Sequence, residues 1–180
     1  MTVLSVIPAK PWHCGQMARI LRTEHASAVL RLGIAPHREL WERFNTSAFR
    51  RALLIDGELA GLGGVVGNLL SPDGYVWLAL AQSAMKHRFS VIREAKRQLA
   101  EIMKTRRYLS TAIIDGDNKA RNLAIFLGFM PCDMMGRTEG AVSRFGRRTM
   151  ADEMGDEDNK ARFPIGNGSA VAMTYAGRVN

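Results

Sequence analysis

The sequence predicts an α/β protein, a mixed central β-sheet of about six to seven strands flanked by helices. Three observations predict it. Apolar runs on either side of Asp56-Gly57 alternate with period two. A nearly continuous apolar run at 75–81, "YVWLALA", leads into an amphipathic helical stretch. The stretch 113–129, "IIDGDNKARNLAIFLGF", reads as a strand end, a capped helix and a Gly-Phe that restarts the chain.

In chain order, "TVLSVIP" (2–8) is β-branched and apolar and predicts a first strand. Pro11 opens a helix through "MARILRTEHASAVL", with Met17, Ile20, Leu21 and Ala28 on one face. Pro36 opens a second, "HRELWERFNTSAF", with Leu40, Trp41, Phe44 and Phe49 facing inward. Asp56-Gly57 predicts a hairpin, because a type I′ turn needs positive φ at both central residues. "SPDG" (71–74) is a second turn. A long helix then spans 86–105. Phe89, Ile92, Leu99, Ile102 and Met103 fall on one side, and Lys86, Arg93, Arg97 and Lys104 form a basic stripe opposite. "YLSTAII" (108–114) is the next strand. The helix at 118–127 has Asp115 or Asp117 as N-cap, an inward face of Ala120, Leu123, Ala124 and Leu127, and Gly128 as its C′ residue. "FMPCDMM" begins another strand, 136–167 reads as an irregular excursion, and "SAVAMTY" (169–175) as a last strand.

Composition narrows the classes. A 47% hydrophobic chain of 180 residues buries a core, and no apolar run approaches the ~20 residues of a membrane span. The first residues lack the basic flank and cleavage site of a signal peptide. Two cysteines far apart, Cys14 and Cys132, exclude a disulfide scaffold. Histidines 13, 25, 37 and 87 lack metal-ligand spacing, so no metal site is expected. Acids outnumber bases by two across 151–180, so the rest of the chain is more positive than the formal +8 of the whole. A basic body suits polyanionic partners or a phosphate-bearing cofactor. "GLGGVVG" (61–67) is not a nucleotide loop, since its spacing differs and no helix follows.

The element order, together with "LIDGELAGLGGV", "GYVWLAL", the basic helix and "DGDNKARNLAIFLGF", resembles the GCN5-related N-acetyltransferases (GNAT). Among these it looks most like a GNAT-like group encoded by tailed bacteriophages and described as internal virion or acetyltransferase-like proteins. The resemblance implies a GNAT-like domain from 1–135 with 168–176, the excursion between them, and a tail at 177–180. It also implies that acetyl-CoA is the cofactor if the protein is active. Its contacts would then fall on Leu80, Ala81 and Gln82 at the end of the fourth strand, on Lys86, His87 and Arg88, and on Asn118.

The chain departs from the family pattern at two points. The segment that should carry the glycine-rich diphosphate turn, "AQSAMKHRFSV" (81–91), has Gln82 but no glycine. Glycine there lets backbone N–H groups approach phosphate. The position four residues before Gly128, often a tyrosine that protonates the leaving thiolate, is Ala124, which has no proton to give. No catalytic residue is therefore assigned from sequence. The reading that follows is a GNAT-like phage protein acting by contact with other virion proteins or its own copies, in the virion or the host cytoplasm. The alternative is an active acetyl-CoA-dependent N-acetyltransferase modifying an amine or a host protein. Nucleic-acid binding through the basic helix ranks third, because aromatic residues for base stacking are not interleaved in it.

Overall fold

Asp56 (φ 51°) and Gly57 (φ 84°) both adopt the left-handed conformation that the hairpin signal demands. Their turn joins β2 (Ser47–Ile55) to β3 (Glu58–Val66) and sets Ile55 opposite Glu58. The computed structural model describes residues 2–68, 71–131 and 142–148. β1 (Leu4–Pro8) adds antiparallel to β2, and β4 (Asp73–Leu80) antiparallel to β3. β5 (Tyr108–Ile114) runs parallel to β4. β7 (Val142–Arg148) is antiparallel to β5, and β6 (Met130–Pro131) closes the far edge. The described residues thus form a seven-stranded mixed sheet in the order β1-β2-β3-β4-β5-β7-β6.

β7 lies inside the stretch expected to be irregular. Its sequence, "VSRFGRR", offers a single large apolar anchor, Phe145, which is fully buried among arginines and small residues. Period-two hydrophobicity therefore gives no signal, and pairing with β5 across its whole length supplies the order instead. The strand expected at 169–175, Cys132 and the 177–180 tail lie outside the described residues.

The single helix expected after Pro11 is two, α1 (Trp12–Ile20) and α2 (Thr23–Arg31). Leu21 and Arg22 are extended between them. Leu21 bridges to Ala81, and the Arg22 N–H donates to the Leu80 carbonyl at 2.9 Å. No glycine or proline marks this break, and tertiary pairing produces it. α3 (Pro36–Thr46) starts at Pro36 as expected and buries Leu40 and Phe44, but Trp41 is 40% exposed.

These three helices cover one face around Cys14, Met17, Leu40, Phe44, Leu62 and Trp77. Burial pushes the Cys14 thiol up to about 11, so this cysteine behaves as a core residue rather than a nucleophile.

α4 (Arg88–Met103) and α5 (Asn118–Phe126) pack around Leu99, Leu109, Leu127, Phe129 and Phe145. The inward arc of α4 centres on Val91, Ala95, Leu99 and Ile102. Phe89 lies about 125° from that centre at 100° per residue, and it is 75% exposed rather than inward. Two cations of the basic stripe are spent on the helix itself, Arg97 on Glu94 and Lys104 on Glu101.

Gly64 holds the β2–β3 register. The pairing shifts between Ser47 and Phe49, and a Cβ on Gly64 would lie 2.5 Å from the Phe49 carbonyl oxygen. Gly64→Ala is expected to cost about 1–3 kcal/mol by overpacking. Urea unfolding reads this directly, and a wild-type midpoint would contradict it.

Candidate active site

β4 and β5 pair only at their first residues, Asp73 with Tyr108 through Tyr75 with Ser110. Beyond that the strands separate. A cavity of about 720 Å³ opens between them, floored by Val76, Leu78 and Leu80 on β4 and residues 111–114 on β5, and walled by α4 and α5.

Alternate residues of an antiparallel strand turn their peptide groups to opposite sides. The Ala81 N–H goes to Ala60 on β3, while the Leu80 carbonyl, facing the other way, accepts from Arg22. Leu78 shares the phase of Leu80, so its peptide groups face the opening, where β5 no longer runs alongside. A sheet edge is thereby exposed inside the fold, ready to pair with an extended amide chain.

Of the residues singled out from sequence, Leu80, Gln82 and Arg88 line this cavity. The carbonyl of Leu80 is already taken by Arg22, and the N–H of buried Ala81 by Ala60. The side-chain oxygen of Gln82 accepts weakly from the Thr23 N–H at 3.4 Å. The Arg88 guanidinium lies over the Phe89 ring at 4.8 Å. Lys86, His87 and Asn118 are not among the lining residues.

In place of a glycine turn, Gln82–His87 forms a 3₁₀ run directly continuous with α4. Its bonding begins with Ala84 N–H to the Ala81 carbonyl at 3.2 Å and engages amides that an open turn would leave free.

Asp117, rather than its neighbour Asn118, is the residue that matters at the start of α5. One carboxylate oxygen caps the helix by accepting from the Ala120 N–H at 3.0 Å. The other meets the Arg22 guanidinium at 2.5 Å, with both side chains 6% exposed. At the far end of α5, Gly128 (φ 87°) donates to Ile125, and Phe129 donates to Ala124, a Schellman motif. "IIDGDNKARNLAIFLGF" is thus a well-capped corner whose first cap forms part of the cavity wall.

A polar lobe meets the cavity from the α2–α3 side. His25 and Arg43 line it. Glu39, 3% exposed, pairs one oxygen with Arg43 Nε at 2.5 Å, and its other oxygen has no hydrogen-bond partner among the described residues. Arg43 also donates to the Tyr75 hydroxyl at 3.2 Å.

Burial holds the His25 imidazole below the ordinary histidine value. The Glu39 and Asp117 carboxylates pull upward, and Arg43 and Arg22 pull downward. At the rim, Lys119 bonds Glu24 and holds that carboxyl low.

Metal-ligand spacing does not reveal His25. The signal that could have done so is its place on the apolar stripe of α2 with Ala28 and Val29, both buried, where a polar side chain needs a reason. Ala124 also lines the cavity, and no tyrosine does so among the described residues. Nor do those residues contain a cluster of three metal-ligating side chains, or a helix long and apolar enough to cross a membrane.

No family model and no curated protein sequence matches the chain. Solved structures do. A RimL ribosomal L7/L12 α-N-protein acetyltransferase in complex with coenzyme A superposes with TM-score 0.60 at 12% identity, covering 83% of this chain and 96% of that one. An acetyltransferase from Thermus thermophilus superposes with TM-score 0.57 at 18% identity, over 82% and 97%. The microcin C7 self-immunity acetyltransferase MccE, bound to acetyl-CoA and AMP, superposes with TM-score 0.57 at 8% identity, over 81% and 92%. The seven-stranded mixed sheet, the helices on its two faces and the separated β4–β5 pair are therefore the GNAT, acyl-CoA N-acyltransferase-like, fold.

Proposed function

We propose that the protein transfers an acyl group, acetyl being the reading its structural neighbours favour, from a coenzyme A thioester to a primary amine. The observation that carries this is the unpaired β4 edge facing the 720 Å³ cavity. A pantetheine arm carries amides in an extended chain, and the peptide groups of Leu78, past the last β4–β5 pair, offer it strand-like pairing. The apolar walls from α4 and α5 exclude water from the thioester.

The diphosphate end fits differently. With the amides from Ala84 onward drawn into helical bonding, phosphate contact falls mainly to side chains, Arg88 first because it lines the cavity. When bound, the cofactor supplies an acyl carbon activated by its thioester. The chain's own contribution is to hold that carbon at the mouth between β4 and β5 and to admit the amine from the α2–α3 side. Proximity of this kind supplies a large share of the rate in a direct transfer.

Arg88→Glu is expected to weaken acetyl-CoA binding at least about tenfold, ~1.4 kcal/mol, by replacing a phosphate partner with a like charge. Calorimetry on wild type and variant measures this, and equal affinities would contradict it.

A second reading, a non-enzymatic phage virion protein, is favoured by the missing glycines and by Ala124. The three similar structures named above are described as acetyltransferases, not as virion proteins. Mass spectrometry of purified particles tests it, and absence from them ends it.

A further inference from the structure

We propose that His25 takes the proton from the acceptor amine, and that the carboxylate of Glu39, buried on the following helix, stabilises the charged form of the ring. The inference rests on the N-acyltransferase reading above and names the residue that reading leaves open.

The argument begins with Glu39. A carboxylate 3% exposed, with one oxygen lacking a hydrogen-bond donor among the described residues, leaves a buried acceptor unsatisfied. Such an oxygen is costly to bury unless something donates to it. Arg43 satisfies only the other oxygen. The imidazole of His25 acts on the same pocket from the preceding helix and reaches the cavity, which Glu39 does not. A proton arriving on His25 from the cavity therefore meets a compensating charge already in place.

The charged groups around the ring are Glu39 and Arg43 from α3, Arg22 from the α1–α2 junction, and Asp117 from the head of α5. Arg22 pairs with Asp117 and Arg43 with Glu39, and of these two ion pairs Glu39 with Arg43 acts more strongly on the ring.

The step balances. An ammonium acceptor gives one proton to His25, which later returns it to water. The freed nitrogen lone pair forms the N–C bond to the acyl carbon, the C–S bond breaks, and the second N–H proton ends on the departing sulfur. His25 must be neutral to begin, and its lowered value ensures this near neutral pH.

The sign of the pH dependence follows. Activity falls as pH drops through the lowered His25 value. Removing the Glu39 charge lowers that value further, whereas removing the Arg43 charge raises it.

Two measurements on the full-length protein test the pair. In the first, the ¹⁵N/¹³C-labelled imidazole of His25 is titrated by NMR in wild type, Glu39→Gln and Arg43→Gln. Opposite displacements, down for Glu39→Gln and up for Arg43→Gln, are expected. No displacement in either variant, with both folded by circular dichroism, overturns the proposal. In the second, acetyl transfer from acetyl-CoA to an equimolar mixture of peptides with all twenty N-terminal residues is followed by mass spectrometry across pH. His25→Asn is expected to lose about 10²–10⁴-fold in kcat/KM and to lose the acid limb. Glu39→Gln should keep the limb but at lower pH. An active wild type with an unaltered His25→Asn overturns the His25 assignment alone. A wild type that binds and transfers nothing overturns the acyltransferase reading itself, while the NMR titration still judges the pair.

Discussion

Arg22→Met is expected to destabilise the protein by about 3–5 kcal/mol, because it strands the Asp117 carboxylate in a buried site. Asp117→Ala should cost at least as much. It leaves Arg22 uncompensated and also removes the α5 cap, worth about 1 kcal/mol. The double replacement Arg22→Met with Asp117→Leu should recover most of the loss, since an apolar pair of similar volume carries no desolvation penalty. The contact is short, 2.5 Å, and both partners are 6% exposed, so solvent screening does little to it. Urea denaturation of the three variants decides the matter. Single variants within about 1 kcal/mol of wild type would show that the pair behaves like a surface bridge. The pair ties the break between α1 and α2 to the head of α5 across the mouth of the cavity. Its loss should therefore loosen His25 and the β4 edge together.

Ala112→Trp should abolish acyl-CoA binding, with a loss of at least about 100-fold, ~2.7 kcal/mol, and little change in stability. Ala112 sits on β5, pairs with Arg144 on its β7 side and lines the opening on the other. An indole there enters the cavity from the sheet face opposite the core anchors Leu109 and Ile113. Calorimetry gives the affinity and thermal melting the stability. Retained binding would place the ligand elsewhere than between β4 and β5.

The fold was legible in the sequence wherever local chemistry dictates geometry. Asp56-Gly57 specified a turn that only positive φ permits, Pro36 opened α3, and Asp117 and Gly128 capped α5 at both ends. It was not legible where tertiary pairing decides. The break at Leu21–Arg22 depends on Ala81 and Leu80, about sixty residues away, and no residue type announces it. β7 was hidden because its partner β5 supplies the apolar context that its own arginines lack.

The site divides the same way. That β4 ends at Leu80 and a helical run follows was legible because an apolar strand before a basic helix start has a recognisable order. His25, Glu39 and Arg43 were missed because they come from two helices that are adjacent only in space. Each one alone resembles an ordinary helical polar residue, and what distinguishes them is the burial of Glu39 and the place of His25 and Arg43 on the cavity wall.

The missing glycines in 82–88 keep their physical meaning, and the structure adds the mechanism. The 3₁₀ run draws the amides from Ala84 onward into the helix, so under the proposed function phosphate recognition falls mainly to side chains. That alters how a cofactor is gripped at one end and leaves the β4 edge unchanged at the other.

The central claim, that the separated β4–β5 pair receives an acyl-CoA, is tested most directly by calorimetric titration of the full chain with acetyl-CoA. Saturable binding at one site per chain is expected, with a dissociation constant between about 1 µM and 1 mM, and it should disappear in Ala112→Trp. No heat at millimolar acetyl-CoA from protein that melts cooperatively would contradict it.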